Sequence, residues 1–168
     1  MLIDPHIHQW DPYRTPRVVS GRALLLRPLP RYPRPLRRLL PLADREFIGD
    51  PSFVLKPYLP RDYEADARGL DIEAVVHIEA EWKVRKHADS VAETRWVAAL
   101  PLTRPRLGGI VVHADPREPD IAEVLDAHLS ASPLVRGVRC SAASHPDPGV
   151  RDFTPLPHLL TDPAFLRG

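Results

Sequence analysis

The sequence predicts an α/β protein built on a parallel sheet. Two observations carry the prediction. Four short apolar runs end in polar residues, near 2–8, 73–80, 108–114 and 135–140, and two of them lead into segments of helical periodicity.

The first run, Leu2-Ile3-Asp4-Pro5-His6-Ile7-His8, has the alternation of a strand. Side chains on a strand point alternately up and down, so the spacing places Asp4, His6 and His8 on one face and Ile3, Pro5 and Ile7 on the other. Residues 14–57 read differently. Proline recurs at 16, 28, 30, 33, 35, 41, 51 and 57, and each proline removes a backbone donor, so a long and mostly irregular excursion is expected, with a short helical turn from Leu36 to Leu42.

In the second run Val75, His77, Glu79 and Glu81 share one parity, and Ala74, Val76, Ile78 and Ala80 the other. A helix is predicted over 88–100, where Ala92, Trp96 and Leu100 recur every four residues and Ser90 with Glu93 has the capping-box spacing. The third run places His113 and Asp115 on one parity. After it, Ile121, Val124, Leu125, His128 and Leu129 follow the i, i+3, i+4, i+7, i+8 pattern of an amphipathic helix, with Asp120 as its cap. The fourth run ends in Gly137-Val138-Arg139-Cys140. Asp162-Pro163 then has the signature of a helix start: a capping carboxylate followed by proline at the first helical position.

Composition bounds what the chain can be. At 168 residues, 43% hydrophobic and 27% charged, it can bury a core as one domain and is not disordered throughout. The net charge of +1 gives no global drive toward nucleic acid or membrane. The excursion is locally basic, with nine arginines and Lys56 against Asp44, Glu46 and Asp50. Its only aromatic partners for bases would be Tyr32, Phe47 and Phe53, a poor match to a nucleic-acid platform, and a lid or subunit contact is the better expectation. No run approaches the ~18 apolar residues of a membrane span, and the start has no secretory pattern, so a soluble cytoplasmic protein is expected. Cys140 is the single cysteine and reads as buried packing.

Two imidazoles two residues apart on one strand face can share a metal ion, although a catalytic zinc usually takes three protein ligands and a water. The segment Ile3-Asp4-Pro5-His6-Ile7-His8-Gln9-Trp10-Asp11-Pro12 resembles the first strand of the amidohydrolase superfamily, in its amidohydrolase-related branch. The likeness continues at Tyr58-Leu59-Pro60-Arg61-Asp62-Tyr63, Val75–Trp82, Ala92–Trp96 and Val135–Arg139, and is similar to the sugar-lactone and dicarboxylate-lactone hydrolases of that branch.

The resemblance implies a TIM-type (β/α)8 barrel, of which four β/α units, about half, fall within these residues, with the Pro/Arg-rich insertion after the first strand. It implies hydrolysis of a lactone or amide carbonyl in a small, acidic or sugar-derived substrate by an activated water. His6 and His8 would hold a divalent metal such as zinc, or would bind substrate directly, because metal-independent relatives exist. Glu79 and His77 are the candidate catalytic groups at the end of the second strand, and His113 and Arg139 the candidate substrate-binding groups. Arg139 suits a substrate carboxylate, which a guanidinium meets with two parallel hydrogen bonds.

The family's later histidine and last-strand aspartate have no counterpart here. Three expectations follow: an enzyme active once its barrel is completed, with a second chain as a possible partner; a catalytically inactive remnant from a fragment or interrupted gene; and a binding module that uses the basic excursion.

Overall fold

The computed structural model describes residues 2–29, 31–154, 156 and 158–168. Four strands, β1 (Leu2–Ile7), β2 (Ile72–Ile78), β3 (Arg106–His113) and β4 (Val135–Arg139), form one sheet in the order β1-β2-β3-β4, and every pair is parallel. The elements between them are α1 (Ser20–Leu26), α2 (Arg34–Arg37), α3 (Leu42–Ile48) and α4 (Pro60–Asp66) before β2, α5 (Val91–Ala98) before β3, and α6 (Ile121–Ala131) before β4. A last helix, α7 (Pro163–Arg167), follows β4.

The α/β architecture and the parallel pairing agree with the sequence. The half-barrel does not. The described strands make an open four-stranded sheet in which β1 and β4 are edges that do not meet, in a chain of 168 residues, whereas a closed barrel of this type needs eight strands and roughly 250 residues. The fold is an open α/β sheet.

Strand order fixes where the helices lie. Right-handed crossovers that always step in the same direction put their helices on the same face of the sheet. The core forms on that face from Ile7, Val75, Leu107, Ile110 and Val112 of the strands, Tyr63 of α4, Val97 of α5 and Leu102. Val75 and Val97 are fully buried. Ile3, Val76 and Val111, on the other face, keep part of their surface in solvent.

Four register shifts interrupt the ladders, and two of them matter most for side-chain direction and strand approach. Asp4 pairs with Val75 but Ile7 with His77, so β1 holds one extra residue at Pro5–His6. The expected grouping of Asp4 with His6 and His8 is corrected by this bulge: Asp4 turns to the helices, where its Oδ2 accepts from Tyr63 Oη at 2.9 Å. In β3 the extra residue is Gly108, since Val75 pairs with Leu107 and Val76 with Gly109. A Cβ at Gly108 would come within 3.2 Å of Ala74 Cβ, so the close approach of β3 to β2 needs glycine there.

The excursion is more regular than its prolines suggested. Pro33 and Pro41 occupy N-cap positions and Pro35 the first turn of α2, where a missing N–H costs no helical hydrogen bond. The stretch 36–42 holds the end of α2 and the start of α3. Trp10 and Tyr58 exchange backbone hydrogen bonds of 3.0 and 2.9 Å and stack at 5.2 Å, clipping the two ends of the excursion together. On its far side, Arg151 of the loop after β4 lies 5.2 Å from the Phe47 ring and 5.0 Å from Phe153.

Helix α4 had no counterpart in the apolar pattern. Its signals are Pro60 at the first helical position and Asp62, whose carboxylate accepts from the Leu59 N–H at 2.9 Å. The capping box expected from Ser90 and Glu93 does not form. Ser90 donates to His87 O instead, and Asp89 receives the Arg85 and Lys86 N–H groups at 2.9 and 3.0 Å. Asp120 bonds His87 Nδ1 at 2.7 Å and does not cap α6 with its side chain. Asp162 does cap α7, accepting from Ala164 and Phe165.

Candidate functional site

All strands being parallel, their C-terminal ends lie at one end of the sheet, the position where α/β folds gather ligands. His6 and His8 stand at the end of β1 with their Nε2 atoms 3.1 Å apart. His8 Nδ1 lies 2.9 Å from the carbonyl of Ile78 on the neighbouring strand, so Nδ1 carries the proton and Nε2 keeps its lone pair. Burial holds the His8 imidazole below its ordinary pKa, and the nearby Arg139 charge adds to this against the opposing pull of the Ile78 carbonyl. His8 is a neutral, oriented nitrogen donor.

The separation of the two nitrogens bears on the metal expectation. Nitrogens 3.1 Å apart, each about 2.1 Å from a zinc ion, subtend roughly 95° at the metal, within reach of ordinary coordination geometries. Two donors therefore fit. Among the described residues, no group of three His, Cys, Asp or Glu side chains is arranged to hold a metal ion.

At the end of β2 the structure separates the two candidate catalytic residues. Glu79 is 8% exposed and bound to Arg139, whose Nε lies 2.7 Å from Oε1 and whose Nη2 reaches both the carboxylate and the Glu79 carbonyl. The second oxygen, Oε2, accepts from Glu81 N at 3.1 Å. His77 turns the other way. It is fully buried on the helix side, its Nδ1 accepts from Gln9 N at 3.2 Å, and its Nε2 lies 3.8 Å from Glu93 Oε1 on α5. The parity that joined His77 to Glu79 holds only to the end of the regular strand at Ile78; Glu81 beyond it has a positive φ of 51°.

His113 pairs laterally with Arg139, which places it on the open face beside the Glu79–Arg139 pair. Asp115, of the same parity in sequence, is bound by Arg117 through Nε and Nη2, and the Asp115 N–H donates to His87 Nε2. Those bonds from Arg117 hold its carboxyl below the usual range. Cys140 is half-buried, and burial pushes its thiol up.

Sequence reasoning missed a second polar cluster beneath the first. Arg17, 3% exposed, pairs with the buried Glu93, donates to Ala80 O at 2.6 Å, and lies 4.7 and 5.0 Å from the rings of Trp82 and Trp96. Burial raises the Glu93 carboxyl, but His77 and Arg17 outweigh it and hold it below its ordinary value. Gln9 is fully buried beside them with no partner for its side-chain amide among the described residues. Only the helical setting of Glu93, next to Ala92 on a segment read as amphipathic, hinted at an inward acid.

Fold and site together define an open parallel α/β protein with a histidine-rich polar cluster at the strand ends. Over 167 residues the chain is 28% identical to an uncharacterized protein, y4mH, of Sinorhizobium fredii (strain NBRC 101917 / NGR234). The alignment covers 99% of this chain and 48% of that protein, so the chain spans about half the length of the curated relative it matches. No family model matches the chain, and no solved structure matches it. Among the described residues no helix is long and apolar enough to cross a membrane.

Proposed function

We propose that the chain carries the substrate-binding and part of the catalytic apparatus of a hydrolase of the amidohydrolase-related type, acting on the lactone or amide carbonyl of a small acidic or sugar-derived molecule. The observation that carries this reading is the convergence of His6 and His8 Nε2 at 3.1 Å, with His8 locked in one tautomer by Ile78. The two nitrogens hydrogen-bond each other, and a ligand shared between them would take the place of that bond.

His6 and His8 would hold a divalent cation through Nε2, and such a cation, when bound, polarises a carbonyl and acidifies water. The remaining roles fall to side chains of this chain. Arg139 meets the substrate carboxylate with two N–H groups. In doing so it releases Glu79, which then accepts the proton of the attacking water. His113, beside Arg139, donates to the substrate's ring or carboxylate oxygen. A cytoplasmic setting fits a chain with a single cysteine.

In a second reading the two histidines hydrogen-bond the substrate with no metal, using the Nε2 atoms that now bond each other. One experiment tests both. Hydrolysis of a panel of acidic and sugar-derived lactones is measured with and without added zinc, for the parent and for His6→Ala and His8→Ala. Turnover that needs zinc and both histidines supports the first reading; turnover insensitive to chelator but lost in both variants supports the second. A parent protein inactive on every lactone removes the enzymatic reading of this chain.

A further inference from the structure

A second candidate site lies in the loops, built from residues that the strand-end cluster does not use. Residues 16–18 run antiparallel to 81–83: Val18 N–H donates to Glu81 O at 3.2 Å, Lys83 N–H donates to Pro16 O at 2.7 Å, and Arg17 bridges to Trp82. This ribbon, the start of α1 and the turn before α5 border an open cleft of about 750 Å³. That volume lies within the range of small-molecule sites.

The cleft is lined by four cations and one acid: Arg17, Arg22, Lys83 and Arg85 against Asp89. The side chains of Arg22, Lys83 and Arg85 have no hydrogen-bond or ion-pair partner among the described residues. Asp89 is already engaged by the Arg85 and Lys86 N–H groups, so it offsets only part of their charge. Arg17, by contrast, is 3% exposed and stands behind the three exposed cations. Its charge is matched by Glu93, yet its Nη2 is buried with no hydrogen-bond acceptor. Like charges gathered along one concave wall repel, and an anion with several acceptor oxygens relieves that repulsion.

We propose that this cleft binds a compact dianion, a small phosphate ester or dicarboxylate, held by charge-assisted hydrogen bonds from Arg22, Lys83 and Arg85. The three exposed cations lie on segments that continue from the two arms of the ribbon, 16–18 and 81–83, so the pairing of those arms brings Arg22, Lys83 and Arg85 to the border of one cleft. Trp82 lines the same cleft, and Arg17 fixes its ring, so the indole reports occupancy. The site is independent of the hydrolase reading, and its test needs no turnover.

Titration calorimetry and tryptophan fluorescence at low ionic strength, with inorganic phosphate in one arm and succinate in the other, measure it directly. Saturable binding of phosphate alone assigns the phosphate-ester class, and of succinate alone the dicarboxylate class. Arg22→Gln and Arg85→Gln should each weaken binding about tenfold, the effect of one charge-assisted hydrogen bond. Arg106→Gln, on β3 in a surface pair with Glu73, should leave it unchanged. Absence of saturable binding of both anions below about 10 mM overturns the proposal. So does binding that survives Arg22→Gln and Arg85→Gln in protein whose circular dichroism matches the parent.

Discussion

Arg17 and Glu93 meet as a buried ion pair across 76 residues of sequence, with the guanidinium against the rings of both Trp82 and Trp96. The pair ties the first residues of the excursion to α5 and to the end of β2, because Arg17 also donates to Ala80 O and Glu93 accepts from Ala80 N at 3.0 Å.

Removing one partner leaves the other charge buried and alone. Glu93→Gln should therefore lower stability by about 3–5 kcal/mol, whereas the double variant Arg17→Met, Glu93→Met should lose much less, since an apolar pair has no charge to desolvate. Urea unfolding of both variants decides the matter. Equal losses would show that the pair is not energetically coupled.

Stability should fall on mild acidification because of His128. Its ring is fully buried between Ser90 and Thr94, at 3.1 and 2.8 Å, with His87, His113 and Glu93 as its charged or titratable neighbours. Burial depresses its pKa below the ordinary histidine value, with the charges of His87 and His113 adding to this against the opposing pull of the His113 backbone hydrogen bond. A histidine with a lower pKa when folded binds fewer protons than the unfolded chain between the two values, so its contribution is complete above about pH 6.5 and is lost as the pH falls toward the folded value. Urea midpoints at pH 7.5 and 5.5 should differ less in His128→Gln than in the parent. An unchanged difference would place the acid sensitivity elsewhere.

Gly108→Val should destabilise by about 1–3 kcal/mol, the usual cost of forcing extra atoms into a packed region. The new Cβ would stand 3.2 Å from Ala74 Cβ and 3.5 Å from Val75 O. Gly21→Ala, with nothing within 4 Å of its Cβ, is the control. Thermal unfolding of the two variants gives the comparison.

If Arg139 holds a substrate carboxylate, Arg139→Lys should raise KM for acidic lactones about 10–100-fold, because lysine keeps the charge but not the two-pronged fork. KM for neutral lactones should change little. A uniform loss of kcat on both kinds of substrate would instead assign Arg139 to the support of Glu79.

Much of the fold was legible along the chain. The four strands appear within two residues of where apolar runs predict them, and α6 follows from its periodicity, with Val124 and His128 buried as the pattern requires, although Leu129 is 57% exposed. Helix α4 was not legible, since its seven residues carry no clear apolar stripe. The helical pieces of the excursion were obscured by prolines that sit at helix starts, where they do no harm.

By itself, the sequence determined the local elements and the chemistry available: a strand ending in His6 and His8, acids and an arginine at later strand ends, and a basic excursion. The tertiary structure alone decided which of these groups meet. One bulge at Pro5–His6 parted Asp4 from the histidines, and the end of β2 sent His77 to the helices and Glu79 to Arg139. It also built the Arg17–Glu93 pair and left the sheet open. Periodicity fixes a side chain's direction only while the ladder is regular, and partners far apart in sequence are chosen by packing and by the cost of leaving a buried charge alone.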